Sequence, residues 1–180
     1  SVIYECANTL VALSNAPTAI KAAANCYCQL IVSQGDNNVK LIVLDRLADL
    51  KKNHREVMQD MVMDILRAVA SPSVDIRRKT LDIVLDLINS RNIEEVVTAL
   101  KKEIIKSQSD TGLGASEKNA EYRQMLVQSV HACAVKFPDV AGSVVHMLMD
   151  FLGDPNTASA LDVIMFIREI AQTNSGMRAS

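Results

Sequence analysis

The sequence has no tryptophan, and only three tyrosines and three phenylalanines among 180 residues. Glycine occurs six times and proline four, too few turn-formers for a sandwich or barrel of many short strands. An excess of one charge is also missing. The 19 basic and 21 acidic residues leave a net charge of −2, so no overall field draws a polyanion, and a nucleic-acid role gains little support. No stretch approaches ~18 uninterrupted apolar residues. The opening SVIYECANTL has neither the basic flank nor the apolar run of a secretion signal. It starts without Met and in the middle of an apolar pattern, as a piece of a longer chain would. Cys6, Cys26, Cys28 and Cys133 each fall inside an apolar helical pattern. Their spacing is not that of a disulfide scaffold, so they read as buried free thiols in a reducing, cytosolic compartment.

What is present is aliphatic. Hydrophobic residues make up 49% of the chain, eight of them methionine, and a chain of this length buries roughly two-thirds of its unfolded surface. Helical periodicity between Pro, Gly and Asn breaks predicts about nine helices, at 1–13, 17–33, 37–50, 54–70, 73–89, 92–107, 119–137, 139–152 and 156–173. Pro17, Pro72, Pro138 and Pro155 stand at proposed starts, where a fixed φ suits the first turn and a missing N–H loses nothing. Asn53, with Glu56 three residues on, has the spacing of a reciprocal N-cap. Links of two to four residues make consecutive helices nearly antiparallel. The exception is 107–119, whose Ser, Gly and Asn content marks a flexible, solvated loop.

One dipeptide type recurs. Ile20-Lys21, Val39-Lys40, Ile76-Arg77 and Tyr122-Arg123 each join a bulky residue entering the core to a cation pointing about 100° away. A helical hairpin with its turns needs ~40 residues, so the separations of the four pairs suit stacked hairpins. In 73–89, Ile76, Thr80, Ile83, Val84 and Leu87 form one stripe, and Leu81, Leu85 and Ile88 form a second beside it. Two stripes need neighbours on both flanks, as a middle layer has. The expectation is an all-α, α-α superhelix of the HEAT/ARM type, residues 1–180 forming a single slice of it. The cations Lys21, Lys40, Arg77 and Arg123 are expected to form a structural ladder between layers, meeting acids such as Asp45, Asp82 or Asp86. Direct partner contact is the competing role.

Candidate chemistry is thin. Cys26 and Cys28 are two apart, about 200° around a helix, and cannot face one metal ion. His131 and Cys133 are separated in the same way, which disfavours a base–nucleophile pair. His54 and His146 read as capping and packing residues. The Gly-Leu-Gly at 112–114 lacks the third glycine and the strand–turn–helix setting of a dinucleotide site. The clusters Lys51-Lys52, Arg77-Arg78-Lys79 and Lys101-Lys102 read first as solvated charge. Contact with acidic partners or lipid headgroups, at ~1 kcal/mol per cation, is the alternative. No catalytic, cofactor-binding or metal-binding residue is assigned, and an enzyme is disfavoured for want of convergent polar groups.

SPSVDIRRKT at 71–80 resembles the inter-helix signature of HEAT repeats. NNVKLIVLDRLADL (37–50), MVMDILRAV (61–69), IRRKTLDIVLDLINSRNIEEVVTALKKE (76–103) and YRQMLVQSVHACAVKFPDVA (122–141) resemble the adaptin-like trunk of the coatomer β-subunit family, over about 22–170. That resemblance implies an adaptin solenoid and a non-enzymatic scaffold in the COPI coat, serving retrograde Golgi-to-ER and intra-Golgi transport. It implies pairing with the coat's δ subunit and large subunits. It also implies recruitment to the Golgi membrane by an Arf-family GTPase acting through other parts of the parent chain, and a cytoplasmic, membrane-peripheral location. No residue is assigned to Arf contact. A β-adaptin-like clathrin adaptor trunk and a HEAT-repeat nuclear transport receptor share the architecture and stand as alternatives. The ends of such a slice are expected to expose apolar helix faces.

Overall fold

The computed structural model describes residues 1–109, 116–151 and 157–175, and every regular element among them is helical. It comprises two compact units, Ser1–Asn92 and Ile93–Ser180.

The first unit contains α1 (Val2–Leu13), α2 (Pro17–Ser33), α3 (Asn37–Asn53), α4 (Arg55–Gln59), α5 (Val62–Leu66) and α6 (Val74–Leu87), with a 3₁₀ turn at Arg67–Ala70. Local chemistry sets most starts. The Ser1 hydroxyl accepts the Tyr4 N–H, Pro17 occupies the first turn of α2, and the Asp36 carboxylate accepts the Asn38 N–H at 2.8 Å, each suiting donors a helix start leaves unpaired. α2 lies against α1, α3, α4 and α5, while α3 also lies against α6. That arrangement buries both stripes of α6. Ile76, Thr80, Val84 and Leu87 have no exposed surface, Leu81 and Ile88 are at 3%, and Leu85 is half-buried. The Thr80 hydroxyl is satisfied by donating to the Ile76 carbonyl at 2.7 Å, so a polar group is buried without an orphan.

The second unit contains α7 (Ile93–Ser109), α8 (Ser116–Lys136), α9 (Ala141–Phe151) and α10 (Thr157–Ser175), with a 3₁₀ turn at Pro138–Val140. α8 is central, lying against α7, α9 and α10. Leu100, Leu126, Val130, Val144 and Leu148 are fully buried.

Several boundaries differ from expectation. The span 54–70 is not one helix: it breaks at Asp60 and Met61 into α4, α5 and the 3₁₀ turn. Neither Pro nor Gly lies in it. The Met61 N–H bonds back to Met58 in a tight turn, and Met58, Met61, Val62 and Ile65 all stay buried. Tertiary packing overrides a sequence that carries no local breaker. Asn53 does not cap α4. It is the last residue of α3, and His54 takes the cap position with no side-chain bond. α3 runs on because Lys51 and Lys52 stand in its last turn, where cations are favoured by the helix dipole. Pro72 precedes the cap of α6 by one residue. α7 and α8 extend into the proposed 107–119 loop from both sides. The rest of that loop with its Gly-Leu-Gly, and Pro155, lie outside the described residues.

Among the described residues apolar surface is exposed on several helices: α1 exposes Val2 and Leu13, at 79% and 81%, α10 exposes Leu161, Ile164 and Met165, and single side chains such as Val32, Ile42, Ile105 and Met149 are exposed on the helices between.

Candidate functional site

The two arginines of the recurring dipeptides have the same local role. In the first turn of α6, Ile76 is fully buried, and the Arg77 Nε donates to the Ser71 carbonyl at 2.6 Å and the Val69 carbonyl at 3.2 Å. In α8, Tyr122 is buried, and Arg123 donates from Nε (3.2 Å) and Nη2 (2.8 Å) to the Ser107 carbonyl. Each guanidinium fastens a helix to the carbonyl end of the helical segment before it. Such an end carries unpaired acceptors and partial negative charge, and a guanidinium presents several donors in a fixed fork. Lys21 is exposed on α2, and Lys40 is half-exposed near the start of α3. Of the acids proposed to meet the ladder, Asp45 is paired with Lys79, and Asp86 with Lys51. The Asp86 carbonyl also accepts from Arg55. These two ion pairs join α3 to α6, with acids about 60% exposed, so each is worth at most ~1 kcal/mol.

Tyrosines supply further ties. Tyr27 donates to Asn8, joining α2 to α1. The Arg46 Nε donates to the Tyr4 hydroxyl at 3.1 Å, joining α3 to α1 and holding the Tyr4 phenol below its ordinary pKa. Burial pushes that of Tyr27 up. In the second unit the Tyr122 hydroxyl donates to Glu103 at 3.0 Å.

Sequence reading missed the turn at 88–92. There the Asn89 side chain accepts from the Arg91 and Asn92 N–H groups, and the Asn92 side chain accepts from the Asn89 N–H. The Asn92 amide also donates to the Gln59 and Leu87 carbonyls. The Asn-x-x-Asn spacing in NSRN was the available signal, since Asn readily bonds its own backbone two residues on.

The groups singled out for chemistry do not converge. Cys28 and Cys133 are buried, and burial pushes each thiol up to about 12. Cys6 is exposed and Cys26 half-buried, which corrects the expectation that all four are buried: α1 covers only Ala7 fully. At pH 8 only ~10⁻⁴ of a thiol with pKa near 12 is thiolate, the reactive form. Brief iodoacetamide treatment of the folded chain should therefore label Cys6 and spare Cys28 and Cys133, as read by peptide mass spectrometry. Equal labelling of all four would contradict the burial. His131 stacks on Phe166, ring centroids 4.0 Å apart. Its Nε2 lies 3.1 Å from a Glu169 carboxylate oxygen but is not aligned for a hydrogen bond. His54 is half-buried, while His146 is exposed and does not take the packing role expected of it. Among the described residues no three His, Cys, Asp or Glu side chains group as metal ligands, and no helix is long and apolar enough to cross a membrane.

The model of the adaptin N-terminal region matches residues 1–180. The chain belongs to the adaptin N-terminal region family. Its fold class is the all-α helical solenoid of adaptin N-terminal regions. This adaptin region is 66% identical over its whole length to coatomer subunit beta-2 of Arabidopsis thaliana. It is 53% identical, over 99% of its length, to coatomer subunit beta of Rattus norvegicus, and 52% identical to that of Drosophila melanogaster, again over 99%. It spans 18–19% of the length of these relatives.

Proposed function

We propose that this adaptin region belongs to a scaffold subunit of the COPI coat, without chemistry of its own, acting in Arf-dependent retrograde Golgi-to-ER and intra-Golgi transport. The observation that carries the proposal is identity of 52–66% across essentially the whole chain to relatives named as coatomer β subunits in plants and fly, with the rat relative between. Their shared name makes the clathrin-adaptor and nuclear-transport alternatives unfavoured. A scaffold role also suits what the side chains do: arginine fasteners, tyrosine ties and cross-helix ion pairs all join helix to helix. Residues 1–180 are read as one slice of a solenoid, because a single family model matches them without a break. Lys21, Lys40, Arg77 and Arg123 are assigned structural positions in that slice. The partners are the δ and large subunits of the coat, and the location is cytoplasmic and peripheral on Golgi membrane.

The test is localisation of the tagged parent protein. It should overlap a Golgi marker and disperse within minutes once nucleotide exchange on Arf-family GTPases is blocked. Residence at the nuclear pore, or Golgi staining indifferent to that block, would overturn the reading.

A further inference from the structure

The carbonyl end of α2 lacks the fastener that Arg77 and Arg123 supply elsewhere. Lys40, the cation of the dipeptide that follows it, donates from its side chain to no carbonyl among the described residues. α2 ends instead on Ser33, an exposed serine whose hydroxyl makes only a long 3.5 Å contact with the Leu30 carbonyl. Residues 34–36 then leave helical geometry: Gln34 has φ −79° and ψ 141°, and Asp36 has φ −86° and ψ 119°. The link is open, since even a Cβ built on Gly35 meets no atom within 4 Å. Ser33-Gln34-Gly35-Asp36 therefore presents a hydroxyl and, three residues on, a carboxylate, with extended backbone between. Acid-directed serine kinases read that pattern, because their substrate cleft sets a basic pocket at that distance from the accepting hydroxyl. The same spacing occurs at Ser107 with Asp110 and at Ser159 with Asp162. Ser107 is buried at 6%, and its hydroxyl donates to the Ile104 carbonyl at 2.7 Å. Ser159 and Asp162 both lie within α10, a helical backbone unsuited to a cleft for extended chain. Of the three serines, only Ser33 is followed by extended backbone among the described residues.

Ser33 also lines a groove of about 500 Å³, on the same stripe of α2 as Asn25 and Gln29. The α5–3₁₀ segment, which lies against α2, adds Asp64 and Arg67 to that lining. Arg67 is the one cation among the described lining residues. It is exposed, and among the described residues its guanidinium has neither a hydrogen bond nor an ion pair, Asp64 included. We propose that Ser33 is a phosphorylation site for an acid-directed serine kinase, and that Arg67 holds the phosphate and so ties the end of α2 to the 3₁₀ turn. The γ-phosphoryl group of ATP passes to the Ser33 Oγ. The bond from phosphorus to the departing ADP oxygen breaks as the new P–Oγ bond forms, and the hydroxyl proton goes to the kinase's base. A phosphate at the carbonyl end of a helix is opposed by the helix dipole, and Asp36 and Asp64 add like charge. An unpaired guanidinium offsets that repulsion, because it meets phosphate oxygens through paired, charge-assisted bonds. The site stands apart from the coat reading, since it rests on side chains of the first unit alone.

The probe is casein kinase 2 with ATP, added to the 180-residue chain, with sites mapped over time by peptide mass spectrometry. Ser33 should be the first and main site. Asp36→Asn should slow its labelling roughly fivefold or more, while the fold is kept because Asn caps a helix as well as Asp does. The fall in Tm that phosphorylation causes should be greater by about 3 °C or more in Arg67→Ala than in the unaltered chain, since only the variant leaves the phosphate without its counter-charge. The phosphopeptide containing Ser33 should also be present in the parent protein purified from cells under phosphatase inhibition. The site is overturned by Ser33 staying unlabelled, by faster labelling of Ser107 or Ser159, or by a rate indifferent to Asp36. Detection of only the unmodified peptide in the cellular protein overturns it as well. An equal change of Tm with and without Arg67 overturns the tie.

Discussion

Replacing Leu47 by Ala destabilises the first unit by about 3 kcal/mol, within the ~2–5 kcal/mol range of buried Leu→Ala changes. Leu47 is fully buried on α3, the helix that lies between α2 and α6. Truncation removes apolar transfer energy and leaves a void that helices fastened on both sides collapse into only partly. Domains hold only ~5–15 kcal/mol in all, so a shift of this size is a large fraction of the total. Urea denaturation followed by circular dichroism should show the midpoint falling with little change of slope. The control is Lys79→Ala, which removes the exposed pair with Asp45 and should cost at most ~1 kcal/mol. Equal losses from both variants would mean that the layers are held by surface charge and not by their apolar faces.

The second large effect is at Arg77. Arg77→Ala removes the bonds to the Ser71 and Val69 carbonyls and leaves both acceptors short of a donor beside a helix start. Hydrogen bonds with a charged partner contribute ~1.5–3 kcal/mol, so a loss of about 2 kcal/mol is expected, with Tm lower by roughly 5–10 °C. Arg77→Lys should recover less than half of it, since an ammonium has no planar fork and is more strongly hydrated. The equivalent change, Arg123→Ala, should act on the second unit in the same direction. A normal melting curve for Arg77→Ala, with loss of one binding partner, would assign the residue to partner contact.

The helical class was legible because apolar residues recur at helical spacing from α1 through α10, and because aromatic, Gly and Pro content leaves so little material for sheet. The double stripe of α6 was legible for the same reason, and its burial follows. The break at Asp60 and Met61 was not, since the apolar face keeps a helical period straight through it and the cause is packing. The roles of Arg77 and Arg123 were half legible. Periodicity puts a cation beside a buried residue, but it does not say that the acceptor is a backbone carbonyl several residues upstream for one and sixteen for the other.

The most direct measurement is purification of the tagged parent protein from cells, followed by quantitative mass spectrometry of what comes with it. The account predicts the δ and large coatomer subunits in near-equal amounts. Clathrin-adaptor subunits, or Ran with transport cargo, in place of coatomer would contradict it.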